Sequence, residues 1–511
     1  MTETFCVNDI YASADAKIRD DWGQATRFLQ RATFGPKKGD VEHLQSIGVD
    51  RWFDEQQDAD LGLGFFDTIL DPDQRFGFVL ADKMMTNGAQ LRQRVAFAIS
   101  QIIVVSEDGA TSRQVAGFAD ILHAHALGDF RELLEGVTLS PAMGDYLSYT
   151  GNMRTNDALG TVPDENYARE VMQLFTIGLW ELTADGERRL VDGEPVPTYE
   201  QEDVVGLARV FTGWQKPLGV VEPERFRAPL AVWEPTERYH EHGEKRFLDI
   251  VIPPGTGAVE SLRIALDALC NHPNVAPFIG KQLIQRLVTS NPTPAYVNRV
   301  ADIWNDDGEG KRGNLAAVVR AVLLDPEALS ADPPETFGKL REPVLRWTAV
   351  ARMLDATCPG GKWALATLSD PSRGLGQQPY KAPSVFNFYR PGYVPPGTKL
   401  ADRGLVSPEM QLVHASSAVG WVNWLSRTLL HPPGEIQFDF DDFLPLVEQP
   451  DKLADELERR LCPGRMTSRT RGAIVRSLPT VRKSDPSFQA RLKVMSAVIL
   501  LVASTDFLYD R

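Results

Sequence analysis

The sequence predicts a mostly α protein: a multi-helix globular body with long ordered loops rich in Pro and aromatic residues, and one small β-hairpin. Three observations lead there. Apolar residues recur at helical spacing in segment after segment. Several segments open on a capping residue followed directly by Pro, the pattern of a helix start. Period-two alternation is confined to one short stretch. The chain has 511 residues, of which 43% are hydrophobic and 24% charged, which is ordinary for globular protein and enough for more than one lobe. Residues 1–23 are expected to be an N-terminal extension. Residues 24–511 are expected to form one helical domain, with lobes at 24–215 and 256–511 joined by a long loop, 216–255.

In chain order, helices are expected over 24–33 and 40–57, flanking the GPKKG turn. LRQRVAFAISQIIVVS at 91–106 has helical spacing that ends in a buried run. Ser140-Pro141, Thr293-Pro294, Asp325-Pro326 and Ser407-Pro408 each mark a helix start. Thr198 with Gln201 reads as a capping box opening the helix through DVVGLARVFTGW, where Asp203 favours the positive helix end. KRFLDIVIPPGTG at 245–257 alternates and ends in a turn, so it is the hairpin candidate. The connection 215–245 and the segment 379–399 are too long and Pro-rich for plain linkers. Ser384 in that second segment is better explained by an ordered loop than as a nucleophile. Tyr380, Phe386, Phe388 and Tyr389 around it are loop anchors or the wall of an organic-ligand pocket. VMSAVILLVAS at 494–504 reads as a buried C-terminal helix.

Charge and cysteine usage narrow the function classes. A formal net charge of −15 disfavours sequence-independent binding to nucleic acid or anionic membrane, because both need a basic surface to displace counterions. The basic run at 465–483 reads as a solvated helix face. No apolar run approaches the length of about 20 residues needed to span a bilayer, so no membrane span is expected. The N-terminus lacks the basic and apolar regions of a secretory signal. Cys6, Cys270, Cys358 and Cys462 are far apart, as free thiols in a reducing compartment would be. A cytoplasmic location follows as the expectation.

The most informative segment is DENYAREVMQLFTIG at 164–178. At about 100° per residue, Glu165, Asn166, Arg169, Glu170 and Gln173 share one arc, and Tyr167, Ala168, Val171, Met172, Leu174 and Phe175 fill the other. Together with TYEQEDVVGLARVFTGW downstream, this segment resembles the bacterial domain of unknown function 1800 family. The resemblance continues through RATFGP at 31–36, LSPAMGDYL at 139–147, HEHGEKRFL at 240–248 and HPNVAPFIGKQLIQRLVTSNPTPAYVNRVA at 272–301. It extends through KLREPVLRW at 339–347, QQPYKAPSVFNFY at 377–389 and SPEMQL at 407–412 to the C-terminal ASTDFL. The chain departs from the family pattern at Asp164, where Asn is usual, in lacking a glycine after FL in HEHGEKRFLD, and in lacking the export signal of some relatives. The family is named for its lack of an assigned activity, so the resemblance implies kinship and no particular chemistry.

Candidate chemistry gathers on the polar arc. Glu165 and Arg169 stand at i, i+4, and Asn166 and Glu170 repeat that spacing one step around. If another element covers this face, its charges must be paired, and Arg341, Lys339, His240 or Asp203 could supply partners. His240 and His242 alternate, so on a strand both would point one way and could begin a metal site completed by Glu170 or Glu165. The alternative is two solvated loop histidines. His123 and His125 would lie about 200° apart on a helix, which precludes a shared ligand face. His272 is expected to serve structure. GEGKRG at 308–313 follows a helix where a dinucleotide motif needs a strand, and Asn314 can cap the next helix directly. No Walker A, GxSxG or HExxH pattern is present.

Two function classes follow. One is an enzyme with a polar acid-base or metal-assisted site between helices, acting on an organic substrate as a hydrolase or an oxidoreductase. Its site would comprise Glu165, Arg169, Glu170, Asp203, His240, Lys245, Arg341 and Glu342. Glu170 would be base or ligand, Arg169 and Arg341 anion clamps, and His240 proton carrier or ligand. A divalent metal is the cofactor such a site could take, and no nucleotide cofactor is expected. The other class is a non-catalytic binding or assembly protein, with the same residues forming a rigid ion-pair network and a protein as partner.

Overall fold

The computed structural model describes residues 7–156, 158, 160–232, 237–363, 365 and 368–511, so Cys6 lies outside the described residues. Among them are 23 α-helices and sheets of only two short strands each. The fold is mostly α, as the apolar spacing predicts. The hairpin forms where alternation predicts it: Lys245–Phe247 pairs antiparallel with Ile250–Ile252. Its turn residue Leu248 adopts a φ of 48°. That left-handed conformation is tied down by a hydrogen bond from Leu248 N–H to Asp203 Oδ1, 2.6 Å. No described helix is long and apolar enough to cross a membrane.

Several boundaries differ from expectation for identifiable reasons. The first family helix runs Trp22–Ala32, because Asp21 accepts from Gln24 N–H at 3.0 Å and so caps it earlier. The segment 40–57 is two helices, Asp40–Ile47 and Val49–Asp58, parted at Gly48, whose φ is 80°. A Cβ at Gly48 would fall on the Arg19 guanidinium, so glycine serves both conformation and contact. Thr293 caps Pro294–Asn305 and Ser140 precedes Pro141–Tyr146, as the cap-Pro pattern predicts. Asp325-Pro326 is a correction: Asp325 terminates Leu315–Leu324 and spends its carboxylate on Arg299, at 2.7 and 2.8 Å. Ser407-Pro408 opens only a 3-10 turn, Pro408–Leu412. The capping box of Gln201–Ala208 is Glu200 with Asp203, because the Thr198 hydroxyl is taken by the Gly178 carbonyl.

Two hydrophobic clusters organise the chain. The first collects buried residues from Ala14 to Leu345, with Tyr380. Phe211, Phe247, Ile252 and Ala258 all belong to it, so the 216–255 segment is built into that core. The second runs from Trp347 to Phe507, with Ala81 and Met85, and it buries one face of the C-terminal helix Pro486–Val502. Tyr380 and Tyr389 anchor the 379–399 segment by burial, while Phe386 is half-exposed beneath the Arg390 guanidinium, 4.8 Å away. Cys270, Cys358 and Cys462 are buried free thiols.

Candidate functional site

The eight residues that the sequence singles out fall into three groups. The first is on the ENYARE segment, which is a short α-helix, Asn166–Glu170, passing directly into a π-helix, Val171–Thr176. The widened turn is visible in Ile177 N–H, which donates to the Met172 carbonyl at 3.0 Å, and in Thr176 Oγ1, which donates to the Val171 carbonyl at 2.6 Å. Such insertions recur at functional sites. Asp164 accepts from Asn166 N–H at 2.8 Å through its side-chain Oδ1. The apolar arc is buried: the Tyr167 ring centre lies 4.4 Å from that of Tyr149, tilted to it, and 4.8 Å from that of Phe211, edge to face, with its hydroxyl 2.7 Å from Thr138 Oγ1.

On the polar arc, Arg169 Nη2 donates to Glu165 Oε2 at 3.1 Å and to Gln201 Oε1 at 3.0 Å, and Gln201 Nε2 closes the triangle on Glu165 at 2.8 Å. Both charged side chains are 38% exposed, so the pair is a screened surface contact worth about 0.2–1 kcal/mol. Glu170 differs. Its side chain turns inward, and Oε2 is buried with no hydrogen-bond partner among the described residues. Burial pushes its carboxyl above the usual range, with Arg169 opposing. Tyr146 and Tyr199 feel its charge, and burial chiefly raises both phenols. The Tyr199 hydroxyl donates to Gln173 Oε1 at 3.3 Å.

Asp203, His240 and Lys245 form the second group, at the junction of Gln201–Ala208 with the hairpin. Asp203 accepts from Glu200 N–H at 2.8 Å and from Leu248 N–H, so both its oxygens staple backbone. The helix and strand touch so closely that a Cβ at Gly206 would stand 1.5 Å from the Arg246 carbonyl oxygen. His240 is fully buried, in a turn where the strand geometry needed for a shared histidine face is missing. The His240 and His242 rings are 5.5 Å apart and nearly perpendicular. His240 Nδ1 lies 2.9 Å from the Thr212 carbonyl, so Nδ1–H donates there, and Nε2 has no partner among the described residues. Burial, more than the nearby Lys245 charge, pushes its pKa down to about 4. Lys245 Nζ is buried and unpartnered among the described residues, and burial lowers it against the pull of Glu241 and Glu237. No group of three or more His, Cys, Asp or Glu side chains among the described residues is placed to hold a metal ion.

Arg341 and Glu342 belong to the third group, a layer of buried charge at the boundary of the two clusters. Glu342 Oε2 accepts from Gln377 Nε2 at 2.5 Å, Gln101 Nε2 at 2.6 Å and the Tyr389 hydroxyl at 2.9 Å. Lys339 and Arg94 hold its carboxyl below the usual range despite complete burial. Arg341 Nη2 donates to Gln30 Oε1 at 3.2 Å, and its guanidinium lies 4.4 Å from the Phe507 ring centre. Lys339 Nζ is 2.9 Å from Glu409 Oε1. Among the described residues no hydrogen bond or ion pair links the three groups.

The profile of the family described as protein of unknown function (DUF1800) matches residues 27–509, which takes in all three groups. The chain belongs to this family. No curated protein and no solved structure matches this DUF1800 member. Its charge layer also uses Arg94, Arg286, Glu409 and Asp510, which sequence reasoning missed. The available signal was polar: Arg94 and Gln101 stand seven residues apart in an otherwise apolar run, the same side of two helical turns. The DUF1800 chain also has an open groove of about 790 Å³, whose walls include Trp180, Leu190, Phe278, Lys281, Gln282 and Ser290. The helix Val275–Leu287, which forms one wall, packs on the π-helix that continues from Glu170.

Proposed function

We propose that the chain is an enzyme that acts on an organic molecule by acid-base chemistry, with Glu170 as the proton-transferring group. The observation that carries this reading is the Glu170 carboxyl: buried, with one oxygen bonded to no described residue, yet one residue from the exposed Glu165–Arg169–Gln201 triangle. An isolated carboxyl shifted toward neutrality is the form of a general acid, and Arg169 beside it is a natural anion clamp. A groove of a size that suits an organic ligand lies along the helix Val275–Leu287, which packs on the π-helix following Glu170; Glu170 itself is not on its wall. The metal-assisted version has less support, since no ligand set is present among the described residues.

The test is a panel of chromogenic esters, amides, glycosides and phosphoesters, with a dye-coupled oxidation assay, run on the full chain from acidic to alkaline pH. Turnover of one class is expected, falling by about 10²-fold or more in Glu170→Gln assayed as folded protein. Equal turnover by Glu170→Gln would overturn the role of Glu170. A stoichiometric transition metal in protein purified without a histidine tag, lost in His240→Ala, would move the chemistry to the second group.

A second reading, a binding or assembly protein, draws support from the third group, where Arg341 and Glu342 are sealed in the interior and act as structure. Absence of turnover across the panel, with a protein partner retained on the groove and lost in Trp180→Ala, favours that reading.

A further inference from the structure

The charge layer between the two hydrophobic clusters is unbalanced. Arg31, Arg94, Arg286, Lys339, Arg341 and Arg346 are all buried there, against three buried carboxylates, Glu342, Glu409 and Asp510. Burying a cation without a counter-charge costs several kcal/mol, so an excess of this kind requires compensation. A small cavity lies in the middle of the layer, with Arg94, Lys339, Arg341 and Asp510 on its wall and Phe34 and Leu345 beside them. The volume open to the centres of water-sized occupants is about 20 Å³, which admits one or two such occupants, since each needs roughly 10–15 Å³.

Part of the unpartnered donors of the layer belongs to this wall, while Arg31 Nε and Arg286 Nε and Nη1, off the wall, also lack a partner among the described residues. Arg94 spends Nη2 on the Arg286 carbonyl at 2.7 Å, while its Nε and Nη1 are buried without a partner among the described residues. Arg341 Nη1 is likewise buried and unpartnered. Lys339 donates to the Gln285 and Arg286 carbonyls, both at 2.8 Å, and its ammonium stands 2.9 Å from Glu409 Oε1 as an ion pair, so on the wall it contributes charge. The one carboxylate on the wall, Asp510, is itself held ionised by Arg31, Arg465, Arg341 and Lys339. Three guanidinium nitrogens of two buried arginines on this wall therefore keep unpaired N–H donors beside a water-sized space, in a field that remains positive.

We infer that this cavity is a binding site for a small monovalent inorganic anion of chloride size, bridging Arg94 and Arg341 and locking the two clusters together. The site is independent of Glu170 and of any turnover.

The test uses the full chain. Melting temperature is followed as sodium chloride or sodium bromide replaces sodium gluconate at constant ionic strength, and bromide is located in soaked crystals by its anomalous signal. The melting temperature is expected to rise and saturate with chloride and with bromide, and a bromide peak is expected between Arg94 and Arg341. Arg94→Gln should raise the half-saturating concentration at least about tenfold, the loss of charge-assisted hydrogen bonds. Identical melting in all three salts, or a cavity without a bromide peak, overturns the inference. If Arg94→Gln fails to fold, the bromide map on the unaltered chain decides alone.

Discussion

Two buried glutamates show how surroundings, more than burial itself, set the charge of a side chain. Glu170 has one guanidinium near it and an unpartnered oxygen, and its carboxyl is driven toward the neutral form. Glu342, more deeply enclosed, accepts three hydrogen bonds under the field of Lys339 and Arg94 and is driven the other way. Its folded pKa is depressed, so its stabilisation is complete above the unfolded value and is lost as pH falls through the folded one. Glu342→Ala should cost about 3–5 kcal/mol by urea titration at neutral pH, because it strands Arg94 and Lys339 as well as three donors. For Glu170 the sign reverses: the contribution is present below the unfolded pKa and fades as pH rises through the raised folded value. Glu170→Gln should therefore gain on the unaltered chain as pH rises from the acidic range, and a constant difference across pH would contradict the shift. His240 is depressed from 6.5 to about 4, so the fold loses stability as pH drops between those values. The loss from this one group approaches an order of 3 kcal/mol. His240→Asn, less stable at neutral pH, should show a shallower decline below pH 6.5 in thermal melts. His123, which burial also pushes down to about 4, keeps part of the slope in that variant.

At the scale of elements, the meeting of Gln201–Ala208 with the hairpin depends on a missing side chain. A Cβ at Gly206 would overlap the Arg246 carbonyl oxygen at 1.5 Å, and backbone has no rotamer with which to yield. Gly206→Ala should cost at least about 1–3 kcal/mol and loosen the hairpin, measured by urea titration and by amide exchange at Phe247. Gly77, in the exposed first turn of Phe76–Thr86, has nothing within 4 Å of the place a methyl group would take, and Gly77→Ala should instead stabilise by about 0.4–1 kcal/mol. The contrast separates close approach from helix propensity. It also marks what the sequence made legible. Helices, the hairpin and two of the four Pro-started caps follow from local spacing, which the structure obeys. The capping box moved by two residues because Thr198 found Gly178 across space, and Asp325 ended a helix because Arg299 claimed it. The ENYARE arc was readable as amphipathic, while nothing in its spacing marks the π-helix, which packs on the distant segment Val275–Leu287. The separation of Glu170, His240 and Arg341 into three groups is tertiary information, and periodicity within one segment carries none of it.

At the scale of the whole molecule, the two hydrophobic clusters are joined through the C-terminal segment. Lys339–Leu340 pairs with Tyr509–Asp510, setting Lys339 opposite Asp510. Asp506 accepts from Thr467 N–H at 2.8 Å. Phe507 is fully buried in the second cluster and covers the Arg341 guanidinium of the charge layer. One aromatic side chain thus supports apolar packing on one side and a buried cation on the other. Removing it should leave a cavity and expose a charge whose hydrogen bonding is already incomplete at Nη1. Phe507→Ala is therefore expected to cost about 3–5 kcal/mol, with the loss concentrated in the second cluster. Calorimetry of the unaltered chain should give one cooperative transition if the layer couples the clusters. The variant should give two, the lower one accompanied by a change in the environment of Trp347, Trp421 and Trp424, which belong to the second cluster. A single transition in the variant, merely shifted downward, would show that coupling runs through other contacts between the clusters, such as Arg352 with the Gly35 carbonyl beside Phe34 of the first cluster.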